Sequence, residues 1–103
     1  MSPLIQDKLA EVTKICSRRR VRRLAVFGSA ATDRFDPAAS DLDFLVEFSA
    51  LSPAQHAENY FGLQEDLERL FGVAVDLVEL APIRNPYFLK VVQETQVPLY
   101  AAT

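Results

Sequence analysis

The sequence has very little cysteine, histidine or glycine, and it has no tryptophan. Its 103 residues include one cysteine, one histidine and three glycines. A single cysteine excludes an internal disulfide and favours a reducing compartment, so we expect the protein to be cytoplasmic. One cysteine and one histidine also exclude a zinc site built from those ligands within one chain. Cys16 falls on an apolar helical stripe, where we expect a packed thiol rather than a reactive one.

Long apolar runs and a large excess of charge of one sign are also absent. No segment approaches the ~20 apolar residues of a membrane-spanning helix, and the N-terminus lacks a signal-peptide pattern, so no membrane association is expected. The net charge of −3 disfavours a general polyanion binder, and direct nucleic-acid binding is not expected. The hydrophobic fraction of 50% is ordinary for a globular protein, and the length predicts a single domain over residues 1–103.

One basic run interrupts this balance of charge. Its members are Arg18, Arg19, Arg20, Arg22 and Arg23. Cations near the C-terminus of a helix are favourable by ~0.3–1 kcal/mol each, so we favour a solvated helix end as the interpretation. The alternative is a patch for phosphate, RNA or an acidic partner.

The spacing of apolar residues predicts three helices and four strands. The helices are expected at about 3–19, 53–71 and 86–95, and the strands at about 21–27, 41–48, 73–80 and 97–100. Ser52 and Gln55 form a capping-box signature before the second helix, and Gly72 fits its C-terminal end. We expect His56 at the surface of this helix, and Asp66 on its solvated face with the other acidic side chains.

Two aspartates open the second strand with one residue between them. Alternation along a strand places Asp41 and Asp43 on one face, and Leu42 and Phe44 on the other, which faces the core. Two ionised carboxylates so close together repel, and a fold keeps them at one site only if a cation or a proton relieves the repulsion. Oxygen ligands of this kind suit Mg²⁺, so the pattern predicts a magnesium site.

A turn at Gly28-Ser29 and a third acid complete the predicted site. Glycine lets the backbone approach a ligand closely, and backbone N–H groups where a strand turns into a helix bind anions. Asp76 lies inside an apolar strand, where an ionised carboxylate is costly unless it is paired or bound to a metal. The alternative is a lone acid on a solvated face. We favour a strand that brings Asp76 beside Asp41 and Asp43, which predicts a nucleotide site.

The sequence Gly28-Ser29, followed by Asp41-x-Asp43 and by Asp76 in a later strand, resembles the signature of polymerase-beta-type nucleotidyltransferases. It is most similar to their smallest branch, the minimal nucleotidyltransferase (MNT) domains that act as antitoxins beside HEPN-domain ribonuclease toxins. The resemblance covers nearly the whole chain. It implies an α+β, α/β sandwich-like fold, in which a small mixed β-sheet carries helices on one face.

The same resemblance implies an activity, which is ATP- and Mg²⁺-dependent transfer of AMP to a tyrosine of a cognate HEPN toxin. Asp41, Asp43 and Asp76 would be catalytic and would hold two Mg²⁺ ions. The nucleotide would be bound by Gly28, Ser29 and Arg34.

One loop departs from the pattern of the family. Where relatives often have Ala-Arg-Gly, this chain has Ala31-Thr32-Asp33, and Arg34 is expected to supply the missing cation. Two alternatives therefore stay open: an antitoxin that acts by binding alone, and nucleotide transfer to a small molecule or RNA.

Overall fold

The computed structural model describes residues 3–28, 41–79 and 86–102, and these residues form four strands and four helices. In chain order they are α1 (Pro3–Gln6), α2 (Leu9–Arg18), β1 (Val21–Phe27), β2 (Leu42–Phe48), α3 (Pro53–Phe71), β3 (Val75–Glu79), α4 (Pro86–Thr95) and β4 (Val97–Ala101). Within these three segments, no helix is both long enough and apolar enough to cross a membrane.

Most of the predicted elements are present, but the first helix is not continuous. The prediction of one helix over 3–19 is wrong, because the chain turns at Lys8, where φ is −120° and ψ is 17°. The Lys8 N–H donates to the Ile5 carbonyl at 3.1 Å, and α2 then begins at Leu9. The third strand begins at Val75, two residues later than predicted. Residues 29–40, which connect β1 to β2, lie outside the described residues.

The strands form one mixed sheet with the order β3-β2-β1-β4. Strand β1 runs antiparallel to both β2 and β4, and β2 runs parallel to β3. Antiparallel neighbours and a parallel pair that is joined through a helix are typical of an α+β fold. The predicted fold class is therefore confirmed.

The two faces of the sheet carry different side chains because residues alternate along each strand. One face packs on α1, α2 and α3, and we call it the core face. Its cluster includes Leu24, Val26, Leu42, Phe44, Val46, Val75 and Leu77 from the sheet and Ile5, Val12, Cys16, Leu63 and Leu67 from the helices. On the opposite face, which we call the second face, a smaller cluster contains Ala25, Phe27 and Leu45. Burial raises the pKa of the Cys16 thiol to about 12, as expected for a packed thiol.

Helix α3 has well-defined ends. The Gln55 N–H donates to Ser52 Oγ, the Ser52 N–H donates to Gln55 Oε1, and both distances are 3.2 Å, so the predicted capping box is formed. At the other end Gly72 adopts φ 71°, and its N–H donates to the Glu68 carbonyl at 2.8 Å. Both end signals in the sequence are confirmed.

Side chains of α3 also bind the outer edge of β3. The Tyr60 hydroxyl donates to the Leu77 carbonyl at 2.8 Å, and the Gln64 side chain donates to the Val75 carbonyl at 2.9 Å. The Val75 N–H donates to Glu68 Oε2 at 3.1 Å. The three helix residues are spaced four apart and therefore share one stripe of α3. This stripe satisfies backbone groups that an edge strand would otherwise leave unpaired.

The start of the basic run joins α2 to α3. Arg18 Nη2 and Arg19 Nε donate to Asp66 Oδ2 at 2.9 and 2.8 Å. Asp66 is only 7% exposed, so the expectation that it lies on the solvated face is wrong. The hydrogen bond from Arg19 is the main cause that lowers the pKa of Asp66, against the opposing effect of burial. The buried carboxylate is tolerated because it is paired and hydrogen-bonded.

The rest of the basic run follows β1. Arg22 Nη1 lies 3.6 Å from Glu47 Oε1, and Arg23 Nε lies 4.0 Å from Glu47 Oε2. Arg20 has φ 63°, and its carbonyl accepts the Ser49 N–H at 3.0 Å, which fixes the turn from α2 into β1. The run is therefore used largely for contacts within the chain.

Gly62 makes room for the contact between Arg19 and Asp66. A Cβ atom on Gly62 would lie 2.4 Å from Arg19 Cζ and from Nη1. In an exposed helix interior, glycine to alanine stabilises by ~1 kcal/mol. Here we expect Gly62→Ala to lower the free energy of unfolding instead, because the displaced guanidinium leaves buried Asp66 with fewer partners. Urea unfolding measures the difference.

The matched control uses the Arg19→Ala background, in which the guanidinium is already gone. There, Gly62→Ala should raise the free energy of unfolding by ~1 kcal/mol. An equal gain in both backgrounds would show that Gly62 has no role in this contact.

Candidate active site

Three ends of strands meet at one end of the sheet. Phe27 at the end of β1 pairs with Asp43 near the start of β2, and Asp43 pairs in turn with Asp76 near the start of β3. Because β2 and β3 are parallel and adjacent, the Cα atoms of paired residues lie ~4.8 Å apart. The pairing brings Asp43 and Asp76 together on the second face, with Asp41 just before β2.

The electrostatics of Asp43 reflect this arrangement. Asp43 is half-buried, whereas Asp41 and Asp76 are exposed. Burial is the main cause that raises the pKa of Asp43, and the negative charges of Asp76 and Asp41 raise it further. The three predicted acids therefore interact, and the solvated position of Asp76 is compatible with that interaction. Their catalytic roles stay predictions.

Gly28 directly follows Phe27 and touches the same carboxylate. Its φ is 70°, and a Cβ atom there would lie 2.8 Å from Asp43 Oδ2. Only glycine combines this left-handed conformation with such a close approach at low cost. The other predicted nucleotide-binding residues, Ser29 and Arg34, lie outside the described residues.

The carboxylates of Asp41, Asp43 and Asp76 are suitable ligands for a hard cation, but they do not form a complete metal site. Across residues 3–28, 41–79 and 86–102, no three or more His, Cys, Asp or Glu side chains form a group that could hold a metal ion by itself. Mg²⁺ is usually held by one or two carboxylates and completed by water and substrate phosphates. The mutual repulsion around Asp43 is the kind that a cation relieves. These residues therefore fit a site that is completed only with the nucleotide.

His56 lies away from the acids, on the helix side of the sheet. Its Nε2 contacts the Glu79 carboxylate, and its ring meets the Phe48 ring edge-on with centroids 5.3 Å apart. These contacts fasten the start of α3 to β2 and β3. They favour a structural role for His56 over that of a catalytic base.

Tyr60 is a supporting residue that the sequence analysis missed. Its hydroxyl donates a hydrogen bond to the carbonyl of Leu77, the residue that follows Asp76 in β3. Burial is the main cause that raises the pKa of Tyr60, and the charges of Glu79 and Asp76 add to it. The available signal was the polar stripe formed with Gln64 and Glu68 on α3.

Comparison with protein families gives a match to the nucleotidyltransferase domain over residues 9–97. Among curated proteins, a Methanocaldococcus jannaschii protein, whose name describes it as a candidate protein adenylyltransferase, is 36% identical over 91 residues. That alignment covers 87% of this chain and 89% of the relative.

Solved structures show the same fold. A structure described as a candidate minimal nucleotidyltransferase has a TM-score of 0.73 and 30% identity, with 92% of both chains covered. A second structure contains the tri-AMPylated HEPN toxin of Shewanella oneidensis in complex with an MNT antitoxin. Its TM-score is 0.63 at 19% identity, with 94% of this chain and 72% of the other covered. At that identity the second structure supports the fold alone.

The raised pKa of Asp43 leads to a prediction about stability. The folded protein binds a proton at Asp43 more tightly than the unfolded chain, so stability is lost as pH rises from the unfolded through the folded pKa. At pH 7 the ionised carboxylate opposes folding, and Asp43→Asn should therefore raise the free energy of unfolding without metal. Urea unfolding at pH 4 and at pH 7 should show a gain that is larger at pH 7.

Magnesium with ATP provides the second half of this test. At ~100 times its dissociation constant, a ligand adds ~2.7 kcal/mol to the free energy of unfolding. Wild type should show a stabilisation of this order, Asp43→Asn should lose it, and the exposed-acid control Asp7→Asn should retain it. A thermal shift that persists in Asp43→Asn would contradict the metal assignment.

Gly28 and Gly72 form a matched pair of glycines for a second prediction. Both have positive φ, but a Cβ atom on Gly72 meets nothing within 4 Å, whereas one on Gly28 meets Asp43. Gly72→Ala should cost only the left-handed backbone penalty of ~1–2 kcal/mol. Gly28→Ala should cost more, and it should also abolish the stabilisation by Mg²⁺ and ATP because Asp43 must move.

Both quantities are read from thermal unfolding with and without Mg²⁺ and ATP. If the two alanine variants lose equal stability and both respond to Mg²⁺ and ATP, the close approach of Gly28 to Asp43 has no role in binding.

Proposed function

Because the chain belongs to the nucleotidyltransferase domain family, we propose that it is an adenylyltransferase that transfers AMP from ATP to a tyrosine of a HEPN ribonuclease toxin. In this role it would act as an antitoxin. The observation that carries the proposal is the pairing of Asp43 with Asp76 directly beside Gly28. The curated relative named for protein adenylylation supports the choice of a protein acceptor.

The acids of the site would hold the metal. Asp41 and Asp43 would bind two Mg²⁺ ions, and Asp76 would share one of them. When bound, Mg²⁺ neutralises charge on the triphosphate and on the departing pyrophosphate. The chain itself supplies the placement of these carboxylates, since β2 and β3 fix their separation through backbone pairing.

The turn after β1 would hold the leaving group. The backbone at Gly28 lies against Asp43, so phosphates bound there through N–H groups would sit beside the metal ligands. Ser29 and Arg34 would add a hydroxyl and a cation to the same phosphates. These contacts orient the bond between the α-phosphorus and the oxygen that leaves with pyrophosphate.

Asp76 would assist the acceptor. It is exposed on the second face, where an incoming hydroxyl can reach it. As the tyrosine oxygen forms its bond to the α-phosphorus, Asp76 would help to remove the hydroxyl proton. The bond from the α-phosphorus to pyrophosphate breaks, and AMP remains on the tyrosine.

Mass spectrometry tests the proposal directly. Incubation with ATP, Mg²⁺ and the HEPN toxin that this chain neutralises should add one or more AMP units to a toxin tyrosine and abolish toxin ribonuclease activity. Asp41→Ala and Asp43→Ala should remove the modification even where the complex still forms, because several kcal/mol of transition-state stabilisation are lost with the metal.

The control variant is Glu65→Ala, which removes an exposed acid from α3 and should leave the transfer unchanged. Protection of cells separates the enzyme from an antitoxin that acts by binding alone. If the Asp41→Ala, Asp43→Ala double variant protects as well as wild type does, binding is the function and catalysis is not.

A further inference from the structure

A groove of about 390 Å³ runs along the second face of the sheet. Apolar residues from three strands line its floor: Ala25, Leu45 and Pro98. Polar side chains stand at its margins: Arg23, Glu47 and Gln96. The volume falls within the ~300–1,000 Å³ that is usual for ligand pockets, and an apolar floor with a few polar groups is their usual composition.

The strand register fixes where this groove lies relative to the site. Ala25 pairs with Leu45, two residues along from the pair formed by Phe27 and Asp43. At ~3.3 Å per residue, the groove floor begins ~6.6 Å from the carboxylate row. Gly28 lies in the opposite direction, one residue beyond Phe27. Asp43 and Asp76 therefore lie between the turn at Gly28 and the groove.

The geometry of AMP transfer indicates what lies on each side of Asp43, toward Gly28 and toward the groove. In phosphoryl-transfer reactions the attacking and leaving oxygens lie roughly in line on opposite sides of the phosphorus. If pyrophosphate leaves toward the turn at Gly28, the attacking oxygen arrives from the groove side of Asp43. The groove is thus on the acceptor's side of the reacting phosphorus.

The composition of the groove indicates which acceptor it suits. A tyrosine has an apolar ring and one polar end, so its ring can lie on Ala25 and Leu45 while its hydroxyl points toward the paired carboxylates of Asp43 and Asp76. Arg23 and Glu47 at the margin offer one cation and one anion to the polypeptide around that tyrosine.

We infer that this groove is the binding site for the acceptor polypeptide, and that it seats the tyrosine that receives AMP. That the acceptor is a tyrosine rests on the proposed function. The position of the groove rests on the described residues. It assigns to Arg23 and Gln96 a role in binding the acceptor, and none in binding ATP.

Arg23 and Arg22 offer a matched pair for the test. Both approach Glu47, and their side chains are 68% and 60% exposed, but only Arg23 lines the groove. With the HEPN toxin as acceptor, Arg23→Ala should raise the KM for toxin about tenfold, which corresponds to ~1.4 kcal/mol. The KM for ATP should stay within about twofold, and Arg22→Ala should leave both constants within that limit. Gln96→Ala should behave like Arg23→Ala.

A binding measurement tests the groove even if no AMP transfer occurs. N-acetyltyrosinamide should shift the backbone amide resonances of Ala25, Leu45 and Gln96, whereas N-acetylalaninamide should not. These shifts should be weaker in the Arg23→Ala variant than in Arg22→Ala.

Each outcome decides one of the two proposals. Absence of AMP transfer by wild type overturns the proposed function, while localised shifts still support the groove as a tyrosine site. Equal KM values for toxin in Arg23→Ala and Arg22→Ala overturn the groove inference while leaving the transferase intact. A raised KM for ATP in Arg23→Ala overturns it as well, because the groove would then hold the nucleoside. Amide shifts that fall elsewhere also overturn it.

Discussion

The register of β2 between β1 and β3 is the constraint on which the site depends. Leu42, Phe44 and Val46 are buried on the core face, and each contributes ~1.5–3 kcal/mol by leaving water. A slip of one residue would expose all three and turn Asp43 into the core. Burial of these apolar side chains therefore holds Asp43 beside Asp76 against the repulsion of their charges. The apolar core face and the acidic second face both follow from the alternation of side chains along β2.

Two kinds of polar contact then fix the layers around that sheet. The guanidinium of Arg19 lies against Gly62 and joins α2 to α3 through buried Asp66. Tyr60 and the polar residues one and two turns after it hold α3 to the strand that carries Asp76. The acids thus lie on elements whose separation is set by backbone pairing and by packing. This rigidity suits a reaction in which placement and charge provide the catalysis.

Local patterns in the sequence predict the helices, the strands and the candidate site residues. They do not predict contacts between residues that are far apart in the chain. The capping residues Ser52 and Gln55 act within one turn, so they can be read directly. The burial of Asp66 cannot be predicted from its neighbours in the sequence, because its arginine partners lie 47 and 48 positions earlier in the chain. Gly28 lies close to Asp43, and Asp43 pairs with Asp76, but this residue-by-residue pairing depends on strand order, which alternation alone does not encode. The break at Lys8 had no composition signal.

The two edges of the sheet are unequal, and this has a consequence for protein design. Helix α3 already occupies the outward backbone groups of Val75 and Leu77, so an added strand would find these positions on β3 taken. A designer who wishes to extend the sheet, or to fuse it to another sheet, must therefore build outward from β4. There, Pro98 has no backbone N–H to donate to an added strand. The sheet can therefore be extended at one edge only. Helix α3 blocks the edge at β3, and the edge at β4 can pair only with a short or interrupted strand.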